Sequence, residues 1–248
     1  MKKGQRVPRI VTAGLDSVAV RVPSHPVALA LIKEAGIPVA APSANTSGRP
    51  SPTTAEHVIE DLKGRVDVII DGGACNVGLE STVLDVTTAP PMILRPGGVT
   101  SEQLKGILGD VRVDPALTKL KADVVPKSPG MKYTHYSPNA DVIIVEGELD
   151  KVVPRINEMI NRYKSEGKTV GVLATQQSEE LYSGAQVISV GSRQRPDTIA
   201  ANLFNALREF DKRKVHIILA EAVDSTGIGL AVMNRLTKAA GYNLIRVD

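Results

Sequence analysis

The sequence predicts an α/β protein in which a small parallel, doubly wound α/β unit follows a mixed N-terminal region. Three observations predict it. From Ala140 onward, short apolar runs alternate with amphipathic stretches of helical period, the pattern of strand–helix–strand crossovers. Between Asp114 and Pro138 that periodicity lapses and Pro115, Pro126, Pro129, Gly130 and Pro138 punctuate the chain, as in a linker. The chain is 248 residues long and 42% hydrophobic, enough for two modest cores.

Element by element, Val18–Val22 reads as a strand with Arg21 near its end. Ser24-His25-Pro26 opens a helix carrying Leu29, Leu31 and Ile32, which Gly36 stops. Ile37–Ala41 reads as a short buried strand, and Thr53-Thr54-Ala55-Glu56 as a capping box before a helix with Val58, Ile59 and Leu62 on one face. Val66–Ile70 is a further strand, ended by Asp71-Gly72-Gly73. Thr82–Val86 and Met92–Leu94 read as an antiparallel pair. Thr100-Ser101-Glu102-Gln103 offers a second capping box. Beyond the linker, strands are expected at Val142–Val145, Thr169–Ala174, Gln186–Val190, Val215–Ala220 and Leu244–Val247. The clearest helices there are Val152–Tyr163 and Ile199–Phe210.

Composition narrows the function. With no Trp and 3% aromatic residues, the chain lacks a stacking surface for single-stranded nucleic acid. A net charge of +3 suits an anionic substrate and is too small to argue nucleic-acid binding; no sequence-specific DNA partner is expected. The single Cys75 rules out an intramolecular disulfide and a cysteine metal motif, which fits a reducing compartment. No apolar run is long enough for a membrane span, and a cytoplasmic location is the expectation.

Five segments carry chemistry. Pro42–Pro52 concentrates Ser43, Asn45, Thr46, Ser47, Arg49 and Ser51 between a strand end and a helix start, where an anion can be held; a turn-rich surface loop has the same composition. Gly78-Leu79-Glu80-Ser81-Thr82 and Arg95-Pro96-Gly97-Gly98 flank the expected hairpin. They either bring Ser81 and Arg95 to a phosphate or are hairpin ends with an exposed arginine. Arg21, with Ser17 beside it, needs an anionic partner, either a structural carboxylate or a ligand. Ser128–Pro138 gathers Tyr133, His135 and Tyr136, a lid over a flat ring or a linker anchored by its aromatics. Thr226-Gly227-Ile228-Gly229-Leu230-Ala231 is read as a tight strand-to-helix turn rather than a dinucleotide fingerprint, because the third glycine position is not filled.

Taken in order, these segments resemble the threonylcarbamoyl-AMP synthase family. The resemblance rests on Gly14–Pro26, Ala41–Asn45 with Ser47-Gly48, Gly78–Thr82, Leu94–Gly97 and Ser128–Tyr136, and covers essentially the whole chain. It implies the C-terminal part of a YrdC-like twisted-sheet domain (residues 1–113), a linker (114–139) and a Rossmann-like domain (140–248). It also implies an enzyme, a nucleotidyltransferase converting L-threonine, bicarbonate and ATP, with Mg²⁺, to threonylcarbamoyl-adenylate for modification of tRNA adenosine 37. TRNA-modification proteins would be its partners. By motif, Arg21, Ser43 and Ser81 would hold threonine, while Ser17, Asn45, Thr53 and Arg95 would contact ATP. His135 and Tyr136 would close over the nucleotide. Ser17 stands where the family usually has Thr, and keeps the hydroxyl. The family's N-terminal half, with a Lys-x-Arg motif for phosphates and a threonine-contacting Thr, has no counterpart here. The resemblance therefore implies an N-terminally truncated member with exposed apolar surface, reduced stability and little autonomous activity. A non-catalytic nucleotide- or RNA-binding remnant is the alternative.

Overall fold

Proline and glycine set the first helix, as the sequence requires. Pro26 opens α1 (Pro26–Ala35), where a missing N–H costs no intrahelical bond, and Gly36 closes it at φ 64°. The computed structural model, which describes residues 1–117 and 136–248, continues with α2 (Ala55–Leu62). Its N-cap is Thr54, one residue later than expected, with the Thr54 hydroxyl accepting from His57 N. Strands β1 (Val83–Asp85) and β2 (Met92–Arg95) pair antiparallel, as expected of two short strands joined by the turn at Thr87–Pro91. Helix α3 (Ser101–Leu108) carries the expected capping box, in which Thr100 and Gln103 satisfy each other's backbone N–H. It returns the chain to β3 (Arg112–Val113), parallel to β2 and not foreseen from the sequence.

Three expected strands do not form. Val18–Val22, Ile37–Ala41 and Val66–Ile70 have the right composition, but a strand exists only through a partner that accepts its ladder bonds. Among the described residues, pairing near them is limited to the isolated bridges Lys2–Ser17 and Lys63–Val66. Most of their large apolar side chains stay in solvent, from 43% exposed at Val66 to 81% at Val22, with Val18 and Ile69 half-buried.

The C-terminal part follows the predicted rhythm through β4 (Asp141–Glu146), α4 (Leu149–Ser165), β5 (Val170–Ala174) and β6 (Gln186–Ser189). It continues with α5 (Pro196–Lys212), β7 (Ile217–Glu221), α6 (Gly229–Ala239) and β8 (Leu244–Arg246). The strands lie in the order β6-β5-β7-β4-β8, and every pairing is parallel. Helix α4 covers one face, packing Val152, Ile156 and Ile160 against Val145, Val172 and Leu219. Helices α5 and α6 cover the other, with Leu203, Phe204, Leu207 and Leu236 against Ile144, Ile218 and Ala220. Burial on both faces explains why β5 and β7 read as unbroken apolar runs. Thr226–Ala231 is the tight turn from β7 into α6. An ideal Cβ on Gly229 would sit 2.0 Å from the Asp224 carbonyl oxygen.

Helices α5 and α6 also meet the N-terminal part. Each contributes one fully buried arginine to that junction, Arg208 and Arg235.

Candidate substrate-binding site

The polar loop Pro42–Pro52 is held from inside and from across the junction. The Asn45 side-chain amide donates to the carbonyls of Thr46 (2.9 Å) and Arg49 (3.2 Å), closing the loop on itself. Asp61 on α2 accepts from the Thr46 N–H at 3.1 Å and from Arg49 Nη1 at 2.9 Å. The Arg208 guanidinium reaches the same carboxylate at 2.7 Å and donates to the Pro50 carbonyl, also at 2.7 Å. Burial acts to raise the Asp61 carboxyl, but the bonds from Arg208 and Thr46 hold it below the usual carboxylate range.

Beside this loop, the two segments flanking the hairpin come together. Gly97 makes that approach possible, because an ideal Cβ there would lie 2.3 Å from Thr82 N and 2.4 Å from the Glu80 carbonyl oxygen. Arg95 then donates through Nε (3.1 Å) and Nη2 (2.9 Å) to the Ser81 carbonyl, leaving the Ser81 hydroxyl in solvent. Glu80 accepts from Ser51 Oγ at 2.5 Å and from Arg235 Nε at 2.6 Å. Burial works to raise Glu80, but the Arg235 charge and these hydrogen bonds keep it ionised and below its ordinary value. Arg95 is pushed down from its ordinary value by burial and by the neighbouring Arg235 charge, with Arg21 adding to the effect.

Tyr136 completes the cluster. It sits in the left-handed region at φ 69° and is buried, its ring 5.2 Å from that of Phe204. The Arg235 guanidinium lies 5.6 Å from the ring centroid, and the Arg235 and Arg95 charges both act on the Tyr136 hydroxyl. Burial raises the phenol above its usual value, so it stays neutral. Its neighbour Ser137 is tied on both sides, by its N–H to the Gly48 carbonyl (3.0 Å) and by its hydroxyl to the Ala239 carbonyl (3.2 Å).

The fold thus brings Ser81, Arg95 and Tyr136 together, with the Arg21 charge in reach. Arg21 itself is exposed and makes no hydrogen bond or ion pair among the described residues. Ser43 is exposed on the loop rim and Ser17 is half-buried at the Lys2 bridge. The Thr53 hydroxyl is buried 3.4 Å from His57 Nδ1, and the Asn45 Nδ2 donors are spent within its loop while its Oδ1 is buried without a partner, so neither residue joins the cluster through a hydrogen bond. His135 lies outside the described residues.

Sequence reasoning missed Asp61, Arg208 and Arg235, and it named Ser51 in the polar loop and Glu80 beside Ser81 without foreseeing that the two bond to each other. A signal existed for the helical ones. Arg208 follows Phe204 by four residues, and Arg235 sits between Val232 and Leu236. Each places a charge in an apolar stripe that must find a buried partner.

Chemically, this is a set of fixed hydroxyls, backbone groups and guanidinium donors at a partly desolvated surface, suited to holding anionic groups. Residues 99–241 match the family model for the threonylcarbamoyl-AMP synthase C-terminal domain, and residues 1–97 match the Sua5–YciO–YrdC model, described as telomere recombination. A threonylcarbamoyl-AMP synthase of Pyrococcus abyssi is 50% identical over 247 residues, covering 100% of this chain and 71% of that protein. One from Bacillus subtilis is 52% identical over 236 residues, covering 95% of this chain and 66% of that protein. The crystal structure of P. abyssi Sua5 complexed with L-threonine superposes with a TM-score of 0.93 at 49% identity, over 100% of this chain and 71% of that one. On these matches, which run the length of the chain and through every segment of the site, the chain belongs to the threonylcarbamoyl-AMP synthase family.

Proposed function

We propose that this chain carries out the synthase reaction, joining L-threonine, bicarbonate and ATP into threonylcarbamoyl-adenylate. The observation that carries the reading is the likeness, over the whole of this chain and 71% of its counterpart, to a Sua5 that was crystallised with L-threonine. In the reaction, the threonine amine adds to the bicarbonate carbon and water leaves, giving a carbamate. A carbamate oxygen then attacks the α-phosphorus of ATP. The bond from that phosphorus to the bridging oxygen breaks, and pyrophosphate departs with the electron pair. Such chemistry asks a protein for positioning and charge stabilisation rather than for a covalent nucleophile.

In this reading, Arg21, Ser43 and Ser81 hold threonine and the carbamate, and Ser17, Asn45, Thr53 and Arg95 form the ATP side. Tyr136, with His135 before it, closes over the nucleotide from a linker at 114–139 that joins domains at 1–113 and 140–248. The bond from Arg95 to the Ser81 carbonyl, and the charge coupling of Arg95 with Tyr136 and Arg21, support this grouping. Mg²⁺ would arrive on the triphosphate. Among the described residues, no group of three His, Cys, Asp or Glu side chains is placed to hold a metal ion, and no step is routed through one. The adenylate is a mixed anhydride that a tRNA-modifying partner in the cytoplasm would consume. No helix among the described residues is long and apolar enough to cross a membrane.

The test is direct product detection by mass spectrometry after incubation with ATP, Mg²⁺, threonine and bicarbonate. Product that vanishes when threonine is omitted is the expected result. A folded chain that binds ATP yet forms no product would favour the non-catalytic nucleotide-binding reading. One that binds neither substrate would overturn both.

A further inference from the structure

Arg235 is a charged residue where the apolar stripe of α6 calls for a hydrophobic one, and its side chain is fully buried. All three guanidinium nitrogens are engaged. Nε donates to Glu80 Oε2 at 2.6 Å, Nη2 to the Pro96 carbonyl at 2.9 Å, and Nη1 to Asn234 Oδ1 at 2.8 Å. Nη2 also lies 3.5 Å from the Glu80 carbonyl. Glu80 immediately precedes Ser81, and Pro96 immediately follows Arg95. One planar group therefore ties together the two segments that carry those side chains. Through Glu80 it reaches Ser51 of the polar loop, and its central carbon lies over the Tyr136 ring.

A buried ion pair is weak evidence for stability, since desolvation offsets much of its attraction. Its rigid, directional fork is strong evidence for a fixed geometry, which a lysine cannot reproduce. We propose that Arg235 is a positioning residue for the Ser81–Arg95 site. The C-terminal α/β unit thereby sets the spacing of a ligand-binding site whose contacting side chains belong to the N-terminal part. The inference rests on the reading of that site as one for threonine and ATP.

The experiment compares the full chain with its R235K and R235M variants. Threonine and ATP are titrated separately by calorimetry, well below each variant's own melting temperature, so that a purely structural defect lowers Tm without moving Kd. R235M is expected to weaken at least one ligand by about tenfold, with R235K intermediate because it pairs Glu80 but cannot also reach Pro96. Wild-type affinity for both ligands in a folded R235M overturns the proposal; if R235M does not fold, the same result in R235K does. Amide hydrogen exchange supplies a ligand-free measure. Faster exchange in R235K confined to residues 80–82 and 95–98 supports positioning, and unchanged exchange there overturns it. Should the wild-type chain bind neither ligand, the substrate reading falls, while exchange still decides the role of Arg235.

Discussion

Lys238 shows what the junction costs a single residue. It is 8% exposed on α6, and burial, with the charges of Arg235 and Arg95, lowers its ammonium to about 8 against an ordinary 10.5; Glu80 opposes the shift. In the unfolded chain Lys238 keeps its proton up to about 10.5, whereas in the folded chain it releases it above about 8. Between those values the unfolded state binds more protons, so stability rises with pH across that window and the strain is fully present below it. Urea denaturation of the wild type and K238M at several pH values checks this. Relative to the variant, the wild type should gain stability from pH 8 to 10.5 by at most on the order of 3 kcal/mol. A difference that stays flat across the window would refute it.

At the scale of elements, the hairpin and the turn after it are held by backbone proximity, and Gly97 is the permissive point. Its missing Cβ lets residues 80–82 pass within contact of the Pro96-Gly97 turn, which keeps Arg95 on the Ser81 carbonyl. G97A should therefore destabilise the protein by about 1–3 kcal/mol, as overpacking does, and weaken ATP binding through Arg95. Gly106 provides the contrast. It lies inside α3, with nothing within 4 Å of an ideal Cβ, so G106A should stabilise by up to about 1 kcal/mol through helix propensity alone. Thermal melts of the two variants should move in opposite directions, and equal shifts would disprove the assignment of close approach to Gly97.

Across the whole molecule, burial is uneven. The sheet β6-β5-β7-β4-β8 and its helices hold most of the buried apolar residues, whereas Ile10 (89%), Val22 (81%), Val68 (74%) and Val20 (67%) lie in solvent in the N-terminal part. Exposed aliphatic surface of this extent binds hydrophobic dyes and promotes association. The chain should accordingly enhance the fluorescence of such a dye while folded. Replacing Val20, Val22 and Val68 together by Thr should reduce that signal without lowering Tm. A fall in Tm of the size seen for buried valines would show that these residues are covered after all.

Local rules determined a good deal of this protein. Pro26 and Gly36 bounded α1, Thr100 and Gln103 capped α3, and alternating apolar runs marked every strand of the parallel sheet, because each signal depends on neighbours within a few residues. The motifs that name Ser81, Arg95 and Tyr136 were equally visible. What the sequence could not decide was whether Val18–Val22 and Val66–Ile70 would find strand partners, or where the charges of Arg208 and Arg235 would be spent. Both depend on segments distant in the chain: Arg235 meets Glu80 across 155 positions and Arg208 meets Asp61 across 147. Ladder bonds and buried ion pairs are satisfied only by a partner in space, and the tertiary structure alone supplies that partner.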